Sequence, residues 1–236
     1  NVFAVRVKNF CSQNVLDHAV KRLTSLGKED YINAEGVGKI KGIGSAYFEA
    51  TDAASRSEYH QTAVDSIEKV REVFSPYLSP VDQVRLSLDE QWNKGASLLR
   101  TDEGPHFVGL TRAITTSILP HEDKLERDNP ELVKKVNYVG QFAFNTYLTN
   151  APGQGEIRLW DQTLPDEVYD EMRRDSYGID PSLLPPPSCV IVPTPGDLIL
   201  FNARKLHAVG HSSELRLSSS GFILYGGEKN PLHIWS

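Results

Sequence analysis

The chain has 236 residues, 39% hydrophobic and 24% charged, a balance ordinary for a globular protein and sufficient for one sizeable core. A formal net charge of -6 and a pI near 5.7 argue against nucleic acid or an anionic membrane as the main partner, while an acidic small molecule stays admissible because one local Arg or Lys can dominate a pocket. Two cysteines, Cys11 and Cys189, give neither a disulfide framework nor a metal-ligand spacing, and no apolar run approaches bilayer length, so the composition reads as a cytoplasmic protein in a reduced setting.

Asn1 to Phe10 lacks the apolar core of a signal peptide, and whether a leader precedes it is left open. Val2, Ala4 and Arg6 alternate with Phe3, Val5 and Val7, which predicts a short strand. Ser12 to Leu26 carries Val15, Leu16, Ala19, Val20 and Leu23 on one helical face, with Gly27 able to close the helix. Gly36 to Gly44 holds four glycines and reads as a loop or a glycine-punctuated strand. A second helix is expected from about Glu58 to Phe74. A third starts at Ser79, whose hydroxyl can cap it, with Pro80 in the first position and Asp82 in the first turn. Val84, Leu88 and Trp92 follow on one face, and the helix can run on to Leu99.

Beyond Leu99 the segments become short and β-rich: Thr111–Leu119, Val139–Thr149, Glu156–Asp161, Cys189–Val192, Asp197–Asn202, Leu206–Val209 and Leu217–Tyr225. Such a series predicts an antiparallel sandwich or barrel. Leu164 to Pro187 interrupts it with a short helix (Asp166 to Arg174) and a proline run, a candidate lid. The expected organisation is a single α+β domain over 1–236, with support in 1–99, a β core in 100–236 and the insert at 164–187.

His121 and Asp123 stand two apart at the end of a strand-like run, where side chains i and i+2 share a face. One further histidine from a neighbouring strand would complete a set of two nitrogens and one oxygen, which leaves open positions on an octahedral metal and suits non-haem Fe(II). On its own the triplet is weak evidence. It is followed, however, by Pro195-Gly196-Asp197 and an apolar strand ending in Phe201, by His207-Ala208-Val209, and by Arg216 opening another apolar strand.

That order resembles the 2-oxoglutarate/Fe(II) oxygenase superfamily over roughly the C-terminal three-fifths of the chain. Phe144 to Leu148, Gly155 to Trp160 and the ending His233-Ile234-Trp235-Ser236 are similar to the bacterial freestanding hydroxylases and halogenases of amino acids, alkaloids and other small molecules. The resemblance implies a double-stranded β-helix, or jelly roll, with Fe(II) held by His121, Asp123 and His207. It implies 2-oxoglutarate and O2 as co-substrates, Arg216 gripping the distal carboxylate in two-point fashion, and Ser218 adding a hydrogen bond from the same strand face. Asn145 and Tyr147 share a face with Gln141, Ala143 and Thr149, and read equally as contacts to 2-oxoglutarate or substrate and as satisfied interior groups. Trp160 and Trp235 read as packing residues, His211 as a surface histidine, and Glu122 and Lys124 as facing solvent.

The resemblance implies oxidation of an unactivated C–H bond with release of succinate and CO2. In halogenating relatives a small residue stands at the carboxylate position. Asp123 therefore favours hydroxylation, with desaturation, cyclisation and epimerisation left open. Rival readings are a cupin-type dioxygenase, which needs no 2-oxoglutarate, and a jelly-roll binding module, which needs no metal. The acidic residues Asp166, Glu167, Asp170 and Glu171 read as a solvated helix face.

Overall fold

A computed structural model describes residues 2–29 and 43–236. The glycine-rich stretch expected at Gly36–Gly44 lies outside the described residues except for its last two positions.

The N-terminal part opens with β1 (Ala4–Val7) and α1 (Gln13–Glu29), which buries Leu16, Ala19 and Leu23 and runs through Gly27 rather than closing there. Helix α2 (Ala53–Phe74) begins five residues before its expected start, because Asp52 and Ser55 form a reciprocal cap. Helix α3 (Pro80–Gln91) starts as expected: Ser79 Oγ accepts from the Asp82 amide at 3.1 Å and donates to the Asp82 carboxylate at 2.8 Å, and Arg71 holds the same carboxylate from α2. It stops well short of Leu99. Trp92 adopts an extended backbone and Gly95 a positive φ of 73°, so the chain turns and enters β2 (Ala96–Leu98).

After a small hairpin, β3 (Arg100–Thr101) and β4 (Gly104–Pro105), come β5 (Leu110–Ile114) and β6 (Ile118–His121). The sequence read these last two as one strand. They belong to different sheets, because the chain crosses over at Thr115–Ser117. Two short helices follow, α4 (Leu125–Asp128) and α5 (Pro130–Lys135), the second capped by Asn129. Then come β7 (Gly140–Tyr147), β8 (Ile157–Leu159), α6 (Asp166–Arg173) in the insert, β9 (Cys189–Ile191), β10 (Leu198–Asn202), β11 (His207–Val209), β12 (Arg216–Tyr225) and β13 (Leu232–Trp235).

The larger sheet has seven strands, ordered β1-β10-β7-β12-β13-β2, with β5 also pairing β12; the smaller has four, ordered β6-β11-β8-β9. All these pairs are antiparallel except β13 with β2. Strands β1 and β2 come from the stretch expected only to support the β core, so both of its edges are built into the larger sheet.

Alternation along β7 shows how the layers stack. Phe144 joins Val81 and Val84 of α3 with Leu198, Ile223 and Ile234 on the helix-covered face. Ala143 and Tyr147 point the other way, into a cluster with Ile157 and Leu159 of β8 and Ile199 and Phe201 of β10. The two sheets thus face each other, with helices on the back of the larger one. Gly221 on β12 permits the close fit, since a Cβ there would meet the Phe144 ring at 2.7 Å and the Trp235 carbonyl at 2.9 Å.

Candidate metal centre

His121 ends β6 and His207 begins β11, and the two are direct cross-strand partners. Their rings lie 4.2 Å apart between centroids. Asp123 sits just past β6, where its amide donates to the Ala203 carbonyl at 2.9 Å and fixes the loop. Its carboxylate reaches both rings, Oδ1 at 3.7 Å from His121 Nε2 and Oδ2 at 3.3 Å from His207 Nε2. One ligand atom from each of the three falls within 4.8 Å of the others.

The protonation pattern follows from the backbone. His121 Nδ1 lies 2.7 Å from the Leu119 carbonyl and His207 Nδ1 lies 2.9 Å from the Lys205 carbonyl. A carbonyl can only accept, so each Nδ1 carries the proton and each Nε2 presents a lone pair to the common point. Burial, with His207 alongside, pushes His121 down to about 4, the neutral state a ligand needs. Burial alone would raise Asp123, but His121, His207 and Arg112 draw it down to about 2, so it stays an anionic oxygen donor. Burial opposes charge on His207 too, but the Asp123 carboxylate outweighs it and raises that ring's pKa. Two imidazole nitrogens and one carboxylate on one side of a point, open on the other, form a donor set that fits ferrous iron.

The carrier-protein-independent halogenase WelO5 family matches residues 1–236. The chain belongs to this family. The L-gamma-glutamyl-L-propargylglycine hydroxylase of Streptantibioticus cattleyicolor is 29% identical over 163 residues, and the match spans 66% of this chain but only 59% of that enzyme. An N-substituted L-amino acid dioxygenase from Burkholderia ambifaria superposes with a TM-score of 0.67 at 16% identity, covering 100% of this chain and 87% of the other. HygX from Streptomyces hygroscopicus, solved with nickel and 2-oxoglutarate bound, gives a TM-score of 0.50 at 14% identity, over 93% and 81% of the two chains. At these identities the structural likeness is one of fold.

In this member of the WelO5 family the remaining predicted residues spread along the inner face of β7 and β12. Asn145 lines a recess of about 100 Å³ with His121, Asp123, His207, Ser220 and Phe222. Arg216, Ser218 and Tyr147 lie further along the same face, in register with that row, but do not line the recess. Arg216 is buried; its Nη1 donates to the Gly210 carbonyl at 3.3 Å, and it has no ion pair among the described residues. Gly155, at φ 63°, leaves room beside it, since a Cβ there would come within 3.2 Å of Arg216 Nη1. Tyr147 is 3% exposed, and burial raises its phenol. Ser218 stands between Tyr147 on one side and Arg112 of β5 on the other.

A wider cavity of about 680 Å³ adjoins the triad, lined among others by Tyr47, Phe48, Arg112, Gln141, Tyr169 and Tyr177. The insert therefore does border the site. It is fastened by the two residues expected in solvent, and here the structure overturns the sequence reading. Glu122 and Lys124 are 2% and 5% exposed. Lys124 Nζ reaches Glu122 at 2.8 Å, the Leu164 carbonyl at 2.9 Å and Asp166 at 3.2 Å; Glu122 accepts from the Leu164 amide; and Arg127 stacks 4.2 Å over the Tyr169 ring. Two buried charges become tolerable because they are paired and hydrogen-bonded. Trp160 is a buried packing residue and His211 is exposed, as expected, whereas Trp235, also buried, lines the wider cavity as well. Asp166, Glu167, Asp170 and Glu171 are all exposed, as expected, and two of them also pair, Asp166 with Lys124 and Asp170 with Arg173.

Arg112 is a site-lining residue that sequence reasoning missed, and Gln141, on the face shared by Asn145 and Tyr147, lines the cavity as well. The available signal was a lone arginine between Leu110 and Ile114 in an otherwise apolar alternation. Gln141 Nε2 donates to the Asp123 carbonyl at 3.2 Å and so braces the ligand loop.

Proposed function

We propose that the chain is an Fe(II)- and 2-oxoglutarate-dependent oxygenase of double-stranded β-helix fold that hydroxylates a C–H bond of a small freestanding molecule of the amino-acid class. The observation that carries this reading is the convergence of His121 Nε2, His207 Nε2 and the Asp123 carboxylate, with both imidazoles fixed by backbone carbonyls. Bound there, iron with 2-oxoglutarate and O2 supplies the oxidising power for an unactivated C–H bond, with succinate and CO2 released.

The residues of the chain have three tasks in this scheme. His121, Asp123 and His207 hold the metal from one side. Arg216, buried and with no ion pair among the described residues, matches the distal carboxylate of 2-oxoglutarate, with Ser218 beside it. The insert, latched by Glu122 and Lys124, walls the wider cavity and excludes water from the substrate.

The family carries a halogenase description, yet hydroxylation is the favoured outcome here. Asp123 fills with an anionic oxygen the position that a halide would need. The hydroxylase relative acts on a glutamyl amino acid and the structural neighbour on N-substituted L-amino acids, which supports a substrate of that chemical class.

The test is anaerobic addition of Fe(II) and 2-oxoglutarate, with a weak visible charge-transfer band expected. Aerobic succinate release is then screened over L-amino acids, γ-glutamyl and other N-substituted L-amino acids. A wild-type protein that gives no band overturns the oxygenase reading.

A further inference from the structure

The wider cavity contains three arginines, and their pairing differs. Arg173 is paired with Asp170 at 2.7 Å. Arg127 is engaged by Glu122, Asp128 and Asp166. The Arg112 side chain has no hydrogen bond and no ion pair among the described residues, only the Phe48 ring, 5.9 Å from its guanidinium carbon. Burial lowers its pKa, and Asp123 and Glu49 are felt only through space. A partly buried guanidinium with five unused donors is costly to keep empty and is shaped for a planar anion.

Its place in the fold narrows which anion. On the shared sheet face, Arg112 is the cross-strand partner of Ser218, and Arg216 lies on the diagonal, opposite Ile114. The two arginines flank Ser218 but serve different spaces. Arg112 lines both the recess of the triad and the wider cavity, whereas Arg216 lines neither and turns toward Gly155 and Gly210. If Arg216 holds the distal carboxylate of 2-oxoglutarate and the metal takes the other end, Arg112 is left for a second molecule. A cavity of about 680 Å³ has room for one.

The geometry points to Arg112 as the specificity residue that binds a carboxylate of the substrate and so sets its C–H bonds against the metal centre. This inference rests on the oxygenase reading above. It assigns the primary substrate an obligatory carboxylate on the side of β5, and makes neutral alkaloid-like compounds poor substrates.

The test compares each L-amino acid, γ-glutamyl and other N-substituted L-amino acid of the panel with its carboxamide, in wild type, Arg112→Ala and Arg112→Lys. Binding is read as the shift of the anaerobic Fe(II)/2-oxoglutarate band, and turnover as succinate release. In wild type the carboxamides are expected to lose about 10- to 100-fold in kcat/KM, the worth of a charge-assisted pair. Arg112→Ala should erase that discrimination while its chelate band still forms, and Arg112→Lys should restore part of it as a point charge. Discrimination that persists in Arg112→Ala overturns the inference. So does loss of the chelate band in that variant alone, which would assign Arg112 to the co-substrate. A wild type that forms the band but binds no carboxylate of the panel overturns this inference and leaves the oxygenase reading standing.

Discussion

Each candidate ligand histidine is oriented by the carbonyl two residues before it, Leu119 for His121 and Lys205 for His207. The strand backbone thus selects the tautomer, and no separate carboxylate is needed to do so. Asp123→Ala is expected to abolish oxygenase turnover and to weaken Fe(II) binding by at least about 100-fold, with the circular dichroism spectrum unchanged; retained turnover removes Asp123 from the ligand set. Arg216→Ala should raise the apparent KM for 2-oxoglutarate about 10- to 100-fold and leave the substrate KM nearly unchanged, since one charge-assisted anchor is lost. The triad was legible because His-x-Asp, the later His and the following Arg keep a recognisable order. Arg112 was not, because a single arginine in a strand looks the same in sequence whether it faces water or a cavity. Glu122 and Lys124 misled for the same reason: charge predicts exposure, and their mutual pairing, the return of Leu164 and the neighbouring Arg127 and Asp166 make burial possible.

At the scale of elements, the insert depends on that pair. Glu122→Ala leaves Lys124 buried beside Leu164 without its main partner, a change expected to cost roughly 3–5 kcal/mol. Urea unfolding measures the loss, and limited proteolysis should show earlier cleavage within 164–187. The turn before β10 has its own electrostatic lock. Burial alone would raise Asp197, but bonds from the Thr194 amide and hydroxyl and from Arg6 of β1 outweigh it and hold it below the ordinary 3.8. A lowered native pKa stabilises the fold above 3.8 and loses that contribution as pH falls through the native value. Asp197→Asn should therefore cost about 1–3 kcal/mol at pH 7 and progressively less below pH 3.8, as urea melts at several pH values would show. Element ends were readable where capping chemistry is local, as at Ser79. They were not where tertiary pairing decides: nothing in Thr111–Leu119 announces that its halves pair with β12 and β11 separately.

For the whole molecule, the two facing sheets and the helices behind the larger one follow from alternation that the sequence displays plainly in β7 and β12. The recruitment of β1 and β2 into that sheet was hidden, because pairing partners far along the chain leave no local mark. A site assembled from both sheets couples ligand binding to global stability. Fe(II) with 2-oxoglutarate at about 100 times its dissociation constant should add about 2.7 kcal/mol, or roughly 5–10 °C in Tm, under anaerobic conditions. His121→Gln should show no such shift, and an equal shift in that variant would place the binding elsewhere.

The facing of His121 and His207 across one strand pair has a kinetic consequence. A coordination pocket made by residues so remote in the chain exists only after the small sheet has zipped in its native register, a slow, non-local event compared with helix formation. Appearance of the chelate colour during refolding would then serve as a clock for sheet closure, trailing the far-ultraviolet helical signal.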